Sequence, residues 1–339
     1  MTKKLKNSHE NDFDEIHKMI IAAKSKVWQQ VNSALILLYW DIGSYVSEKT
    51  TAGSWGQGVV EELAQFISSK SASFQGFSAR NIWRMKKFYE TYSPYPKLST
   101  LLTEIGWSNH LHILSKTKTI EEKEYYLMLA SKRNYSSRDL ARLIDSSSFE
   151  RTALANQKLS TVLSEFPENA IGVFKDSYVF EFLNLPDDHL ESDLRRALVK
   201  NLRKFLLELG PDFTLMGEEY PIQVGNKDFK IDLLMFHRGL NAMCALELKI
   251  SEFHPSHIGQ LQFYLEALDR DIRKPHENPS IGILICKSKD DEVVKYAMNR
   301  NMSPTMIAEY ETKFVNKKLL QDKLHEISLS LESLSDEKE

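Results

Sequence analysis

Two apolar runs, FKIDLLMF over 229–236 and MCALELKI over 243–250, stand either side of the turn-forming segment Arg238-Gly239-Leu240-Asn241. Short apolar runs of this length, bounded by turn residues, predict two buried strands joined as an antiparallel hairpin. Asp232 interrupts the first run; Glu247 and Lys249 interrupt the second. A charge inside a buried strand is costly unless it is paired or bound to a metal. Alternation sends Glu247 and Lys249 to one face and Leu248 to the other. Two carboxylates and a lysine on adjacent strands can hold a hard divalent cation, Mg²⁺ or Mn²⁺, and orient a water for attack on a phosphodiester.

Spacing alone does not carry this reading, because the chain contains five acid-x-Lys triplets. Glu121/Lys123 lies in the charged string EEKE and Asp336/Lys338 in a charged tail, where no apolar walls confine an ion. The alternative for Glu247/Lys249 is a buried structural ion pair, and the strand context favours the metal site.

The strings ESDLRRAL, KFLLELG, FKIDLLMFHRGL, ALELKISEF and HIGQLQFYLEALD, in this order within residues 175–311, resemble the YhcG-type branch of the PD-(D/E)XK nuclease superfamily. The resemblance implies a restriction-endonuclease-like α/β domain, a mixed central sheet flanked by helices, with the motif acids at Asp232 and Glu247 and the motif lysine at Lys249. It also implies a metal-site glutamate on the preceding helix, for which Glu191 is the match, and a glutamine on the following helix at Gln260. One departure is visible: Glu218 and Glu219 stand where many relatives carry a basic residue and Gln. Read without the family, Glu191 opens an amphipathic helix over LESDLRRALVKNLRKFLLELG and is equally well an acid favoured near a helix N-terminus. Gln260 is one turn from Tyr264 and alone reads as an ordinary polar helix residue. His254 and His257 lack a zinc-type partner set and suit phosphate contact or plain surface.

At 339 residues the chain predicts two domains of roughly 150 residues each. The expected division is a helical domain over 1–150, a connector over 151–170 broken at Pro167 and Asn169, and the nuclease-like domain over 171–339. Downstream of the hairpin, IGILICK and TMIAEY read as strands and DDEVVKYAMNRN as a helix between them. Cys244 and Cys286 both fall in predicted core strands, which suits reduced thiols in a cytoplasmic protein. The polar start MTKKLKNSHENDFDE is not leader-like, and no long apolar segment suggests a membrane. No Walker-type loop is present, so nucleotide-driven work by this chain is not expected.

Residues 1–150 hold 20 Lys/Arg against 16 Asp/Glu, and 151–339 hold 24 against 31. The positive half can therefore supply sequence-independent attraction to phosphate. It begins with one long predicted helix, marked by Phe13, Ile16, Ile20, Val27, Val31 and Leu38 and ending near LYWDIG, where Gly43 suggests tight packing. In GFSARNIWRMKKFYETY, Gly76 supplies a turn, Ser78 an N-cap, and the following helix carries Arg80, Arg84, Lys86 and Lys87. A second basic helix, YSSRDLARLID, places Arg138 and Arg142 one turn apart behind a Ser136 or Ser137 cap. Both suit DNA contact, against the plainer alternative of solvated amphipathic helices. The strings LYWDIG, WGQGVVEELA, GFSARNIWRMKKFY and YSSRDLARLI resemble the domain that accompanies this nuclease type. That implies a mainly α, winged-helix or helix–turn–helix unit binding DNA or a partner. Trp40, Trp55, Trp83 and Trp107 are expected in its core.

The combined expectation is Mg²⁺-dependent DNA hydrolysis. The partners expected are DNA and either a second copy of the chain or proteins of a DNA-processing complex. The competing reading is a DNA-binding or scaffold component of a restriction or mobile-element complex that has no turnover alone; hydrolysis of RNA is a third.

Overall fold

The computed structural model describes residues 2–70, 75–133, 135–157, 161–164, 172–186, 188–299, 301 and 303–336. Pro167 and Asn169, the expected breakers, lie outside them. The chain forms two compact units, Met1–Ala141 and Arg142–Glu339.

The first unit is built on α1 (Thr2–Thr51), α2 (Gln57–Lys70) and α3 (Ala79–Tyr92). A 3-10 turn at Pro96–Leu98 leads into α4 (Ser99–Glu104), α5 (Trp107–Lys116) and α6 (Ile120–Arg133), and the start of α7 (Ser137–Asp145) completes it. Ile36, Tyr39 and Val46 of α1 and Ile82, Met85 and Phe88 of α3 are all buried, which makes these two helices the spine of the core. They approach so closely at Gly43 that a Cβ there would lie 2.2 Å from the Met85 carbonyl oxygen. His110 of α5 packs against the ring of Phe88, 4.7 Å between centroids, and its Nε2–H donates to the Leu102 carbonyl at 2.9 Å. Burial pushes that imidazole down to about 4, so it serves the core as a neutral ring. Trp40 and Trp107 stack edge-on against the same aromatic group, as expected.

Two expectations for this unit are corrected. Among its described residues there are helices and no strands, so the β-wing is not there: the stretch after α3 is taken up by the 3-10 turn and α4. The first helix also runs past LYWDIG to Thr51, and its early apolar stripe is not buried within the described residues: Ile16, Ile20, Val27, Val31 and Leu38 are each at least 44% exposed.

The second unit holds the six-stranded mixed sheet. Its helices before the sheet are the remainder of α7, α8 (Ser148–Gln157) and the four-residue α9 (Thr161–Ser164). There follow β1 (Ser177–Val179), α10 (Glu191–Lys200), α11 (Leu202–Leu209), β2 (Phe213–Val224), β3 (Lys227–His237) and β4 (Ala242–Glu252). The chain closes with α12 (Ser256–Asp271), β5 (Ile281–Ser288), α13 (Asp291–Met298), β6 (Thr305–Glu311) and α14 (Lys317–Asp336). Strand order is β1-β6-β5-β4-β3-β2. β2, β3 and β4 form an antiparallel meander, while β4, β5, β6 and β1 pair in parallel, joined by helical crossovers at α12 and α13. One face carries Leu233, Leu246, Leu248 and Ile283 against Leu194 and Leu198 of α10 and Phe205 of α11. The other carries Leu234, Ala245 and Leu284 against Leu261, Tyr264 and Leu268 of α12. The single helix expected over 190–209 is instead two. At Asn201 the backbone leaves the helical region (φ −105°, ψ 32°), and its side-chain amide turns back to donate to the Ala197 carbonyl.

The connector expected over 151–170 also differs. Arg151, Leu154, Ala155 and Leu163 are buried in the second unit, and α8 is tied to α14 by the Lys317–Glu150 ion pair at 3.3 Å. Arg151 is drawn in by Glu208 of α11, and both side chains are fully buried. Glu208 also meets Arg142 at 3.0 Å and Lys175 at 3.4 Å, and accepts from the Val179 amide at 3.1 Å. Burial alone would raise the Glu208 carboxyl, but Arg151, Lys175 and Arg142 outweigh it and hold it down at about 2. Lys175 is pushed down to about 7 by the same burial, which Glu208 only partly offsets and to which the Arg151 and Arg142 charges add.

Two outcomes follow. Gly43→Ala should destabilise the first unit by about 1–3 kcal/mol in urea denaturation, since the new methyl must displace backbone. Glu208→Gln should cost the second unit about 3–5 kcal/mol at neutral pH, because it strands buried cations. Its carboxyl is depressed on folding, so the stabilisation is complete above the ordinary value of 4.5 and is lost as pH falls toward about 2. The wild-type excess over the glutamine variant should therefore shrink through that window in acid titrations of stability.

Candidate active site

The register of the hairpin brings the two motif acids together. The β3–β4 ladder ends at Leu233 and Leu246, and Asp232 and Glu247 are the residues just beyond that last pair, near enough for the Asp232 charge to act on the Glu247 carboxyl. Asp232 is 9% exposed and Glu247 3%, which leaves two neighbouring carboxylates with little water between them and the core. Like charges this close, and this dry, must be neutralised.

The chain supplies two cations. Lys249, on the same face of β4 as Glu247, donates from Nζ to Glu247 Oε1 at 2.8 Å and reaches Glu191 Oε1, on the first turn of α10, at 3.4 Å. Burial works against the ammonium charge, but Glu247, Glu191 and Asp232 together raise its affinity for the proton above the usual lysine value. Arg195, one turn further along α10, donates from Nη1 to Asp232 Oδ1 at 2.8 Å, and its Nη2 lies 3.2 Å from Glu219 Oε1. The other Asp232 oxygen accepts from the Leu248 amide at 3.0 Å. Glu219 sits on β2 opposite Asp232, with its backbone in the left-handed region at φ 41°. The acid at the departure from the common pattern is thus partnered by Arg195.

One oxygen is left over. Glu247 Oε2 is buried without a hydrogen-bond donor. Burial raises the Glu247 carboxyl first, and the neighbouring Asp232 adds to it; Lys249 only partly offsets them, and the group is pushed up to about 7. A buried, unpartnered carboxylate oxygen beside a second carboxylate is the donor chemistry of a hard divalent cation. Among the described residues no group of three or more His, Cys, Asp or Glu side chains is placed to hold a metal ion, so a cation here would rest on these two carboxylates and on water. The set therefore suits an ion that keeps several waters and takes only a few protein oxygens, as Mg²⁺ does.

α12 borders the same face. Gln260 donates to the Tyr264 hydroxyl at 2.8 Å. Burial raises that phenol, the Gln260 bond partly offsets it, and the charges of Glu247 and Asp232 add to the rise, which puts Tyr264 within electrostatic reach of the two acids. His257 is lowered by burial and by Lys249, while His254 accepts from the Ser256 amide at 3.3 Å in the turn that opens α12. Asp232, Glu247, Lys249 and Glu191 are thus gathered in one place, with Gln260 at its edge.

Residues 171–325 match the family model described as the YhcG PDDEXK nuclease domain, and residues 15–151 match that of the DUF1016 N-terminal domain. The Escherichia coli (strain K12) protein named "Putative nuclease YhcG" is 28% identical across 92% of this chain and 93% of its own length. The chain thus carries a YhcG PDDEXK nuclease domain behind a DUF1016 N-terminal domain. A solved repair endonuclease from Pyrococcus abyssi aligns with 37% of this chain and 49% of its own at 17% identity. With a TM-score of 0.26, that superposition is too loose to argue from.

Within this N-terminal domain, the expected DNA-contact residues separate. Arg80, Lys87 and Arg138 are exposed and Arg84 half-buried. Lys86 is paired with Glu90 at 2.9 Å and lies over the Trp83 ring. Ser136 caps α7, accepting from the Asp139 amide at 3.2 Å. Arg142 does not fit the expectation: it belongs to the second unit, where Glu181 at 2.8 Å and Glu208 at 3.0 Å engage its guanidinium, so it is structural. Arg195 is the residue the sequence reading missed. Its signal was position, one turn after Glu191 on the helix face that meets the hairpin.

Proposed function

We propose that this chain is a divalent-cation-dependent DNA endonuclease. The observation that carries the reading is the neighbouring pair Asp232 and Glu247, with one buried Glu247 oxygen lacking any donor. Asp232 and Glu247 would hold Mg²⁺ or Mn²⁺, which when bound supplies Lewis-acid charge at the scissile phosphate. Lys249, kept charged by three acids, orients the attacking water and offsets charge accumulating on the phosphate in the transition state. Glu191 fixes the Lys249 ammonium from the side opposite Glu247. Arg195 holds the Asp232 carboxylate in one orientation by bridging it to Glu219. Gln260, steadied by Tyr264, is placed to bond a phosphate oxygen. Arg80, Arg84, Lys87 and Arg138 of the first unit provide attraction to the DNA backbone.

Asp232→Ala and Glu247→Ala should each lower Mn²⁺-supported cleavage of linear or branched DNA on the order of 10³-fold, with DNA affinity in Ca²⁺ nearly unchanged. Cleavage by either variant at the wild-type rate would exclude this site. Lys249→Ala should lose roughly 10²–10³ in turnover while retaining Mn²⁺ affinity in calorimetry, because the lysine is not a ligand. A loss of metal affinity as large as that of Asp232→Ala would make Lys249 structural.

A further inference from the structure

The basic residues of α3 are not equivalent. Lys86 is neutralised by Glu90, whereas Arg84 and Lys87 have no carboxylate partner among the described residues. Those two line a groove of about 490 Å³ whose other wall is α5, contributing Ser108, Leu111, His112 and Ser115, with Ser137 at its end. His112 Nε2 lies 2.8 Å from the Ser137 hydroxyl, so the imidazole is fixed at the groove wall. Ser115 already donates to the Leu111 carbonyl at 2.7 Å, which leaves two unpaired cations, an imidazole and the Ser108 and Ser137 hydroxyls along this groove, the donor types that a phosphate takes.

A second depression of about 390 Å³ shares Ser108 and Ser137 with the first, so the two are neighbours on the first unit. Its chemistry is different. Beyond the shared serines it is lined by Ile105, Trp107, Asn109, Ala130 and Tyr135, an aromatic wall that carries no charged side chain. Asn109 is 8% exposed; its amide donates to the Tyr135 carbonyl at 3.0 Å, and its Oδ1 is buried with no donor. Trp107 is already committed on one side, donating to Asn81 Oδ1 at 3.0 Å and packing on Tyr39, so it offers an edge and not a free ring.

A cationic half next to an aromatic half matches one nucleotide: phosphate in the first and base in the second, against Trp107 and Tyr135. Each half has the volume of a small-ligand site. A base within a duplex cannot reach such a depression, since its hydrogen-bonding edge is paired and its faces are stacked; an unpaired one can. We infer that the α3–α5 groove of the first unit binds an unpaired nucleotide of a nucleic-acid strand, with Arg84, Lys87 and His112 on the phosphate and the Trp107–Asn109–Tyr135 wall on the base. This rests on the nuclease reading above and deepens it: the substrate carries a single-stranded segment such as a flap, gap or junction arm.

The test uses the full chain in EDTA, where no cleavage competes, and a short fluorescein-labelled single strand read by anisotropy across a salt series. Arg84→Gln/Lys87→Gln should weaken binding at least tenfold and flatten the slope of log affinity against log salt by about 0.7, the share of the one phosphate they hold. Ser108→Glu, an exposed position shared by both halves, should do the same without touching the core, and Lys97→Gln, outside the groove, should change little. Fully paired duplex should lose less affinity than single strand in the same variants. An unchanged slope in both groove variants, an equal loss for duplex, or a mononucleotide binding as tightly as the strand would overturn the inference. Mn²⁺-dependent cleavage by the same variants on concentrated DNA separates the two readings: cleavage with no groove effect sinks only the groove, and groove binding without cleavage sinks only the nuclease.

Discussion

Two carboxylates held close together just beyond a buried hairpin ladder are the constraint on which the rest of the second unit depends. Asp232 and Glu247 cannot both carry charge at 9% and 3% exposure unless cations are brought to them. That requirement explains why α10 starts where it does, with Glu191 and Arg195 on the turns that meet the strands, and why Lys249 is two residues from Glu247 and not elsewhere. The chain's own donors, the cations Arg195 and Lys249 and the Leu248 amide, satisfy three of the four carboxylate oxygens and stop there. The fourth is the opening for a metal.

The second buried charge cluster does a different job. Glu208 gathers Arg142, Arg151 and Lys175 beneath the sheet, drawing in the chain that leads from α7 to β1. Every polar group of this cluster faces a partner from the same unit, which is the pattern of a structural network and not of a site open to substrate. Glu247 is raised and Glu208 is lowered for the same physical reason read in opposite directions: one buried acid lacks enough positive charge, the other has an excess of it.

Much of this was legible in the sequence. Period-two alternation located the hairpin and put Glu247 and Lys249 on one face, and a run of apolar residues around each motif acid marked it as buried. What sequence could not resolve was partnership across long separations. Arg195 and Arg196 are adjacent and chemically alike, yet only packing decides that Arg195 faces Asp232 while Arg196 pairs with Asp193 on the surface. Arg142 reads as a surface cation because its partners, Glu181 and Glu208, are far along the chain. The break at Asn201 was hidden because the apolar spacing continues through it, and the stripe on α1 shows that such spacing marks a helix without saying what covers it. Among the described residues, no helix is long and apolar enough to cross a membrane.

The central claim is that a divalent cation sits between Asp232 and Glu247. Anomalous diffraction at the manganese edge from crystals grown with Mn²⁺ tests it most directly. The account predicts one strong peak within ligand distance of both carboxylates, with Glu247 Oε2 among the donors. No peak there at saturating Mn²⁺, or a peak held by other side chains while Arg195 and Lys249 keep their present contacts, would contradict it.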